Sequence, residues 1–257
     1  MQKSQKKRDI LMELTPQILI VVLPLIFLGG FVDSVAGGGG LITLPAYLMA
    51  GIPAHLAMGT NKVVNGIGTA TASVKYFRGG KIKMRPAIIA GVGALVGAAI
   101  GTRIALLIPE NILKIMMLVA LPCAAILLIL KKDFGKESDA PEREYTKQQE
   151  LVRAALIGPG TGTFMIMAFT MALSMDLLTA SGCAKLANLC SNVASAVLFI
   201  ISGKVWWMLA LPAAICNALG AFCGARYAMK GGSKRVRGMI FVVLGLLFIK
   251  MGYELLF

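Results

Sequence analysis

Charge is scarce in this chain. Aspartate and glutamate together number 12 in 257 residues, and all charged residues make up 15%. Soluble domains carry about 25%, so a soluble globular fold is excluded. Histidine occurs once, at position 55. The five cysteines, Cys123, Cys183, Cys190, Cys216 and Cys223, form no C-x-x-C pair and have no histidine partner. They read as small apolar core residues, with no disulfide, metal site or cofactor expected. The methionines show no Met-x-x-Met run aligned with Cys or His, and read as apolar filling. No Walker A sequence is present, which excludes nucleotide-driven work by this chain alone.

What is abundant is apolar. The chain is 57% hydrophobic with a mean hydropathy of +0.78. The expected class is an all-α integral membrane protein with a single domain spanning 1–257. The net charge is +14. In a soluble protein such a charge points to nucleic acid. Here the basic residues cluster in short connections between apolar runs, the pattern of cytoplasmic loops in membrane proteins. The expected surroundings are lipid bilayer rather than nucleic acid.

Runs long enough to cross, at about 1.5 Å per helical residue, are expected at 15–33, 57–77, 86–107, 112–130, 180–201, 206–229 and 236–256. The first is read as a retained span, because it passes into a glycine motif with no signal-peptide cleavage site. Two apolar segments, 41–50 and 164–178, are too short to cross. They read as re-entrant or broken helices, allowed at membrane depth only where they line a protein cavity. The expectation is about seven crossings plus two re-entrant segments, with the N-terminus cytoplasmic. Residues 131–153 balance six basic against six acidic side chains and read as a solvated cytoplasmic loop. Gly93, Gly97 and Gly101 have the small-xxx-small spacing of close helix packing.

Shifting the chain by 123 residues aligns its halves without a gap. Gly37 meets Gly160, Gly39 meets Gly162, and Gly59, Lys62 and Asn65 meet Gly182, Lys185 and Asn188. Gly80-Lys81 meets Gly203-Lys204, and Arg103 meets Arg226. The repeats are placed at about 37–131 and 160–254. The basic cluster of the first half (Lys75, Arg78, Lys81, Lys83, Arg85) follows the Lys62 span. That of the second half (Arg226, Lys230, Lys234, Arg235, Arg237) lies one span later. If both are cytoplasmic, the Lys62 and Lys185 spans run oppositely and the repeats are inverted, as in many secondary transporters.

The polar motifs concentrate in that repeat. A half-helix that starts inside a membrane aims unpaired N–H groups and a positive dipole end at whatever lies before it, and glycine lets a ligand approach the backbone. Gly38, Gly39, Gly40, Gly160 and Gly162 are therefore candidate binding residues for a small anion, with hydroxyls from Thr43, Thr161 and Thr163. Lys62 and Lys185 would add charge, and Asn61, Asn65 and Asn188 amides. The competing readings are lysines that snorkel to a polar boundary and asparagines that join helices. Asp33, the acid embedded in the first half's apolar body, is a candidate carrier of a coupling proton, a lysine partner, or a cap for the broken segment. His55 reads as solvated, and Trp206 and Trp207 as interfacial anchors.

Gly30-Phe-Val-Asp-Ser-Val-Ala-Gly-Gly-Gly-Gly-Leu-Ile-Thr-Leu-Pro45, Gly59-Thr-Asn-Lys62 and Gly158-Pro-Gly-Thr-Gly-Thr-Phe164 resemble the paired signatures of the TauE/SafE sulfite exporter family, the DUF81 permeases. The similarity covers nearly the whole chain. One departure precedes the second motif, where only 151–157 remains of a hydrophobic segment that the family carries. The resemblance implies a multi-pass inner-membrane transporter exporting small sulfur-containing or organic anions: sulfite, sulfoacetate or other sulfonates. It implies no catalysis. The alternatives are an anion channel, and a sulfur relay using Cys183, which aligns with Thr60 and lies near Lys185. The expected partner is the anion, with a homodimer as a candidate assembly.

Overall fold

The computed structural model describes residues 16–113, 115–116 and 162–256. The expected span at 112–130, the loop at 131–153, the short segment at 151–157 and the glycines up to Gly160 lie almost wholly outside the described residues. Those described are helical with no strand. Seven helices are complete: α1 (Pro16–Ala36), α2 (Gly40–Met49), α3 (Ala54–Arg78), α4 (Met84–Leu107), α5 (Gly162–Leu173), α6 (Leu177–Ile201) and α7 (Trp207–Leu256). The expected spans 206–229 and 236–256 fall on two helical stretches, labelled together as α7, that meet at a break at Gly232 (φ 61°, ψ −159°). Only glycine adopts that conformation at little cost.

Among the described residues four stretches are long and apolar enough to cross a bilayer: Ile18–Ala36, Met84–Leu107, Leu177–Ile201 and Trp207–Met239. The 25 residues of α3 reach about 37 Å at 1.5 Å per residue, but Asn61, Lys62, Asn65 and its threonines make it too polar to qualify. Its position explains this. α3 packs against α7 and α6, and buries Thr60, Asn61, Val64, Thr69 and Tyr76. The apolar residues instead face outward on the flanking helices. Ile88, Val92, Leu95, Val96, Ile100, Ile104 and Leu107 of α4 are exposed, as are Met208, Leu211, Ile215 and Leu219 of α7. Such a continuous apolar belt is a liability in water and is expected in lipid, where the solvent is itself apolar.

The helix ends repeat at an offset of 123. α3 and α6 close with the same turn. After α3, Gly80 N–H donates to Phe77 O (3.0 Å) and Lys81 N–H to Tyr76 O (2.9 Å). After α6, Gly203 N–H donates to Ile200 O (3.0 Å) and Lys204 N–H to Phe199 O (2.9 Å). Gly80 and Gly203 have φ of 66° and 65°, the left-handed residue that ends a helix this way. The contacts between the halves are exchanged in the same register. Gly59 of α3 packs on the Lys204 carbonyl, and Gly182 of α6 on the Lys81 carbonyl. Trp206 N–H donates to Thr60 Oγ1 (3.0 Å), and Lys83 N–H to Cys183 Sγ (3.3 Å). The start of each helix therefore meets the turn leaving the other, so α3 and α6 are antiparallel. They meet where Asn192 Nδ2 donates to Thr69 Oγ1 (3.4 Å).

Asp176 caps α6, its Oδ1 accepting the N–H groups of Leu178 and Thr179 at 3.0 Å. Partial burial opposes its ionisation. Hydrogen bonds from Thr179 and Leu178 and the charge of Lys81 outweigh that effect and hold its carboxyl below the usual range. The stabilisation is then present above the unfolded carboxyl value of about 3.9 and disappears as pH falls through the folded value. Asp176→Ala should cost about 1 kcal/mol at neutral pH and progressively less in acid, read as the difference in melting temperature from the wild type across pH. A pH-independent difference would rule out the carboxylate as the capping group.

Candidate functional site

Two short helices build the centre. α2 and α5 have 10 and 12 residues, about 15 and 18 Å, against a hydrocarbon core of about 30 Å. The chain leaves α1 at Ala36 and reverses through Gly37 and Gly38, with φ of 74° and 81°. α2 then folds back on α1. The methyl of Thr43 sits against Gly29, and Gly39 packs on the Gly29 carbonyl and Asp33 Cβ. The tight return follows from sequence: a side chain at 29 or 39 would force these segments apart.

The start of α5 arrives at the same point. A Cβ on Gly162 would lie 3.2 Å from Gly37 Cα, 3.3 Å from Asn188 Nδ2 and 3.5 Å from Gly38 N. The two glycine motifs, 123 residues apart, thus touch backbone to backbone. Gly160 and Thr161 lie outside the described residues. Thr163 Oγ1 is buried and has no hydrogen-bond partner among the described residues. Thr43 Oγ1 is already engaged, donating to Gly39 O at 3.2 Å.

Asp33 combines two of its three expected roles. Oδ1 accepts the Gly39 N–H (3.1 Å), capping the approach to α2, and Oδ2 pairs with Lys185 Nζ at 2.8 Å. The Lys185 side chain is fully buried, so it does not snorkel. Lys62 is handled differently. Its Nζ donates to the neutral Asn192 Oδ1 at 3.3 Å, and no carboxylate pairs with it among the described residues.

An amide chain runs on from Lys62. Asn192 Nδ2 reaches Thr69 Oγ1, whose hydroxyl donates to Asn65 O (2.7 Å). Asn65 Nδ2 donates to Asn61 Oδ1 (3.2 Å), and Asn217 Nδ2 donates to Asn65 Oδ1 (3.2 Å) and Ile26 O (3.4 Å). Asn61 and Asn65 are therefore committed to this chain, while Asn188 faces the glycine junction. Asn192, Thr69 and Asn217 are additions to the sequence-derived set. The first two were detectable, since they match each other at the 123 offset as polar residues in apolar helices. Asn217 matches Ala94, so the repeat carried no signal for it.

Three further residues are settled by their contacts. Cys183 is buried, its Sγ taking the Lys83 N–H and facing Lys83 O at 3.7 Å, away from the glycine junction and in the role Thr60 plays opposite. His55, expected to be solvated, is half-buried with Nε2 3.2 Å from Ala105 O. Trp206 is buried and Trp207 half exposed, so only Trp207 has an anchor's exposure.

The glycines differ in what they face. A Cβ at Gly40 meets nothing within 4 Å among the described residues, whereas one at Gly39 overlaps Gly29 O and Asp33 Cβ. Gly40→Ala should fold normally, alanine being a better helix former by about 1 kcal/mol, but bind anions about tenfold or more weakly if the ligand approaches the backbone there. Gly39→Ala should lose melting temperature instead. Wild-type anion binding by Gly40→Ala would show that these glycines serve packing alone.

The comparisons with known proteins agree with one another. A model of the family described as sulfite exporter TauE/SafE matches residues 22–251. The "Probable membrane transporter protein ORF9" of Sinorhizobium sp is 34% identical over 210 residues, covering 79% of this chain and 80% of that protein. A "Probable membrane transporter protein" of Haemophilus influenzae is 31% identical over 224 residues (85% and 88%). The "Probable membrane transporter protein YfcA" of Escherichia coli K12 is 29% identical over 222 residues (84% and 82%). No solved structure matches. With the lipid-facing belt and the paired glycine motifs already in place, the chain belongs to the TauE/SafE sulfite exporter family of membrane transporters.

Proposed function

We propose that this protein is a secondary transporter that exports small organic or sulfur-containing anions, such as sulfite, sulfoacetate or other sulfonates, across the inner membrane by alternating access. The observation that carries the reading is the meeting of the two glycine motifs, with the buried Lys185 and the half-buried Lys62 in the surrounding helices. Gly37 and Gly38 lie against the start of α5, and among the described residues Thr163 presents an unpartnered hydroxyl and Lys62 is held only by an amide. Backbone N–H groups at a helix start and a cation in a low-dielectric surround suit an anion.

In this reading 1–257 is one domain of two inverted repeats joined by a cytoplasmic loop, with the N-terminus cytoplasmic. The exchanged contacts at the 123 offset support the inversion, and α3 and α6 rock about their crossing at Thr69 and Asn192. Asp33 is the coupling residue, because a proton on it would release Lys185 to an arriving anion. The membrane potential alone also favours anion exit from a negative interior. A channel would share the site without the alternation, and saturable counter-transport separates the two. The buried position of Cys183 against the Lys83 backbone gives a sulfur relay no support.

The test is thermal stabilisation of the purified protein by sulfite, sulfoacetate, taurine, sulfate, acetate and chloride. A ligand at a hundred times its Kd adds about 2.7 kcal/mol, readily seen as a rise in melting temperature. Selective stabilisation by sulfite or one or two sulfonates supports the proposal. A well-folded protein that none of them stabilises overturns it.

A further inference from the structure

We infer that the central site is matched to an anion bearing one negative charge, and that Asn192 sets this preference by leaving Lys62 without a counter-ion. The inference rests on the anion-transport reading and deepens it.

The charge count is short. α1 carries Asp33 alone, α2 and α5 carry no charged side chain, and α6 carries Lys185 alone. On α3 the next cation, Lys75, is 13 residues beyond Lys62, about 20 Å along the axis. On α4 and α7, Arg85, Arg103 and Arg226 are exposed, and Arg226 opens the basic run that continues through Lys230, Lys234, Arg235 and Arg237. Among the described residues the central layer therefore holds Asp33, Lys185 and Lys62. Asp33 and Lys185 cancel as a 2.8 Å ion pair, so one positive charge remains, on Lys62.

The repeat makes the asymmetry specific. Lys62 and Lys185 are equivalent at the 123 offset, yet one meets a carboxylate and the other an amide. Asn192 is 4% exposed. Its carbonyl oxygen accepts a hydrogen bond from Lys62 Nζ and its amide donates to Thr69 Oγ1, so it orients Lys62 while adding no charge. Buried charge is costly unless neutralised. One uncompensated ammonium is balanced by one negative charge on the ligand. A second negative charge would lie unpaired, or would have to displace Asp33 from Lys185. Bisulfite, simple monosulfonates and monocarboxylates fit this count; sulfate, disulfonates and sulfoacetate, a dianion at neutral pH, do not, so the count narrows the anions proposed above to the singly charged ones.

The probes are ethanesulfonate and ethane-1,2-disulfonate, which share a carbon skeleton and differ in charge, applied at matched ionic strength to the purified full-length protein. The wild type should be stabilised by the monosulfonate at concentrations about tenfold or more below those the disulfonate requires. Asn192→Asp supplies Lys62 with a carboxylate. It should keep its melting temperature without ligand and lose the monosulfonate response. Asp33→Asn retains an oxygen for the Gly39 N–H and adds one net positive charge, so it should narrow or invert the preference. Wild-type preference for the disulfonate, or an unchanged monosulfonate response in Asn192→Asp, would overturn the inference and leave anion transport standing. No stabilisation by either probe, or by sulfite or acetate, would overturn both.

Discussion

Lys185→Met should be the most damaging single substitution in the polar centre, at a cost of about 3–5 kcal/mol. The ammonium is fully buried and its partner is Asp33 at 2.8 Å. Removing one member of a buried ion pair leaves the other desolvated and unpaired, which accounts for a cost of that size. The equivalent Lys62→Met removes one hydrogen bond to a neutral amide and should cost about 1 kcal/mol, while abolishing anion-dependent stabilisation. Two lysines alike in sequence are thus expected to separate, one carrying stability and the other binding. Denaturant-driven unfolding in mixed micelles would compare them. Adding Asp33→Asn to Lys185→Met should recover most of the loss, because no charge is then stranded. Equal stability of the two lysine variants would contradict the assigned pairing.

The second large effect is expected at Gly59 and Gly182. A side chain at Gly59 would overlap the Lys204 carbonyl, with the Lys204 carbonyl carbon 2.9 Å and Phe199 Cβ 3.1 Å from the new atom. At Gly182 the overlap is with the Lys81 carbonyl, with Ile82 Cγ1 at 3.2 Å. Neither carbonyl can retreat easily, because each sits in a helix-ending turn fixed by its own hydrogen bonds. Overpacking a core typically costs about 1–3 kcal/mol. Here the obstacle is backbone, so Gly59→Val and Gly182→Val should each fall at or beyond the top of that range and reduce folded protein in the membrane to a small fraction. The damage should be similar for both, since their surroundings are exchanged copies. Gly101→Ala, whose Cβ would meet nothing within 4 Å among the described residues, is the control and should accumulate normally. Wild-type accumulation of Gly59→Val would mean that the two halves do not pack through this contact.

Several features are legible in the sequence alone. Hydropathy placed the protein in a membrane, because a lipid-facing helix must be apolar along its whole length whatever its neighbours are. Glycine placed the breaks: Gly37, Gly38, Gly80 and Gly203 adopt positive φ, a backbone state other residues rarely take. The 123-residue register marked Gly59, Gly182, Thr60 and Cys183 as equivalents, and the contacts they make are equivalent. These are local properties, carried by residue type and spacing.

The partners of the polar residues were not legible. Asp33 could cap, pair or carry a proton on sequence grounds; its cap on the Gly39 N–H is local, but its ion pair depends on where α6 lies, 152 residues away. Lys62 and Lys185 looked alike because their local sequences are alike. Their difference lies in what α1 and α6 bring to them. α3 looked like an ordinary span in length, and its polarity has its reason in the helices around it, which shield Asn61, Asn65 and Thr69 from lipid. Asn217 gave no signal at all, because its role is a contact with Asn65 and its repeat partner is alanine. Residue spacing reports the local conformation and the solvent a helix meets. Which charge meets which is a property of packing across the chain, and in this protein it sets Lys185 against a carboxylate and Lys62 against an amide.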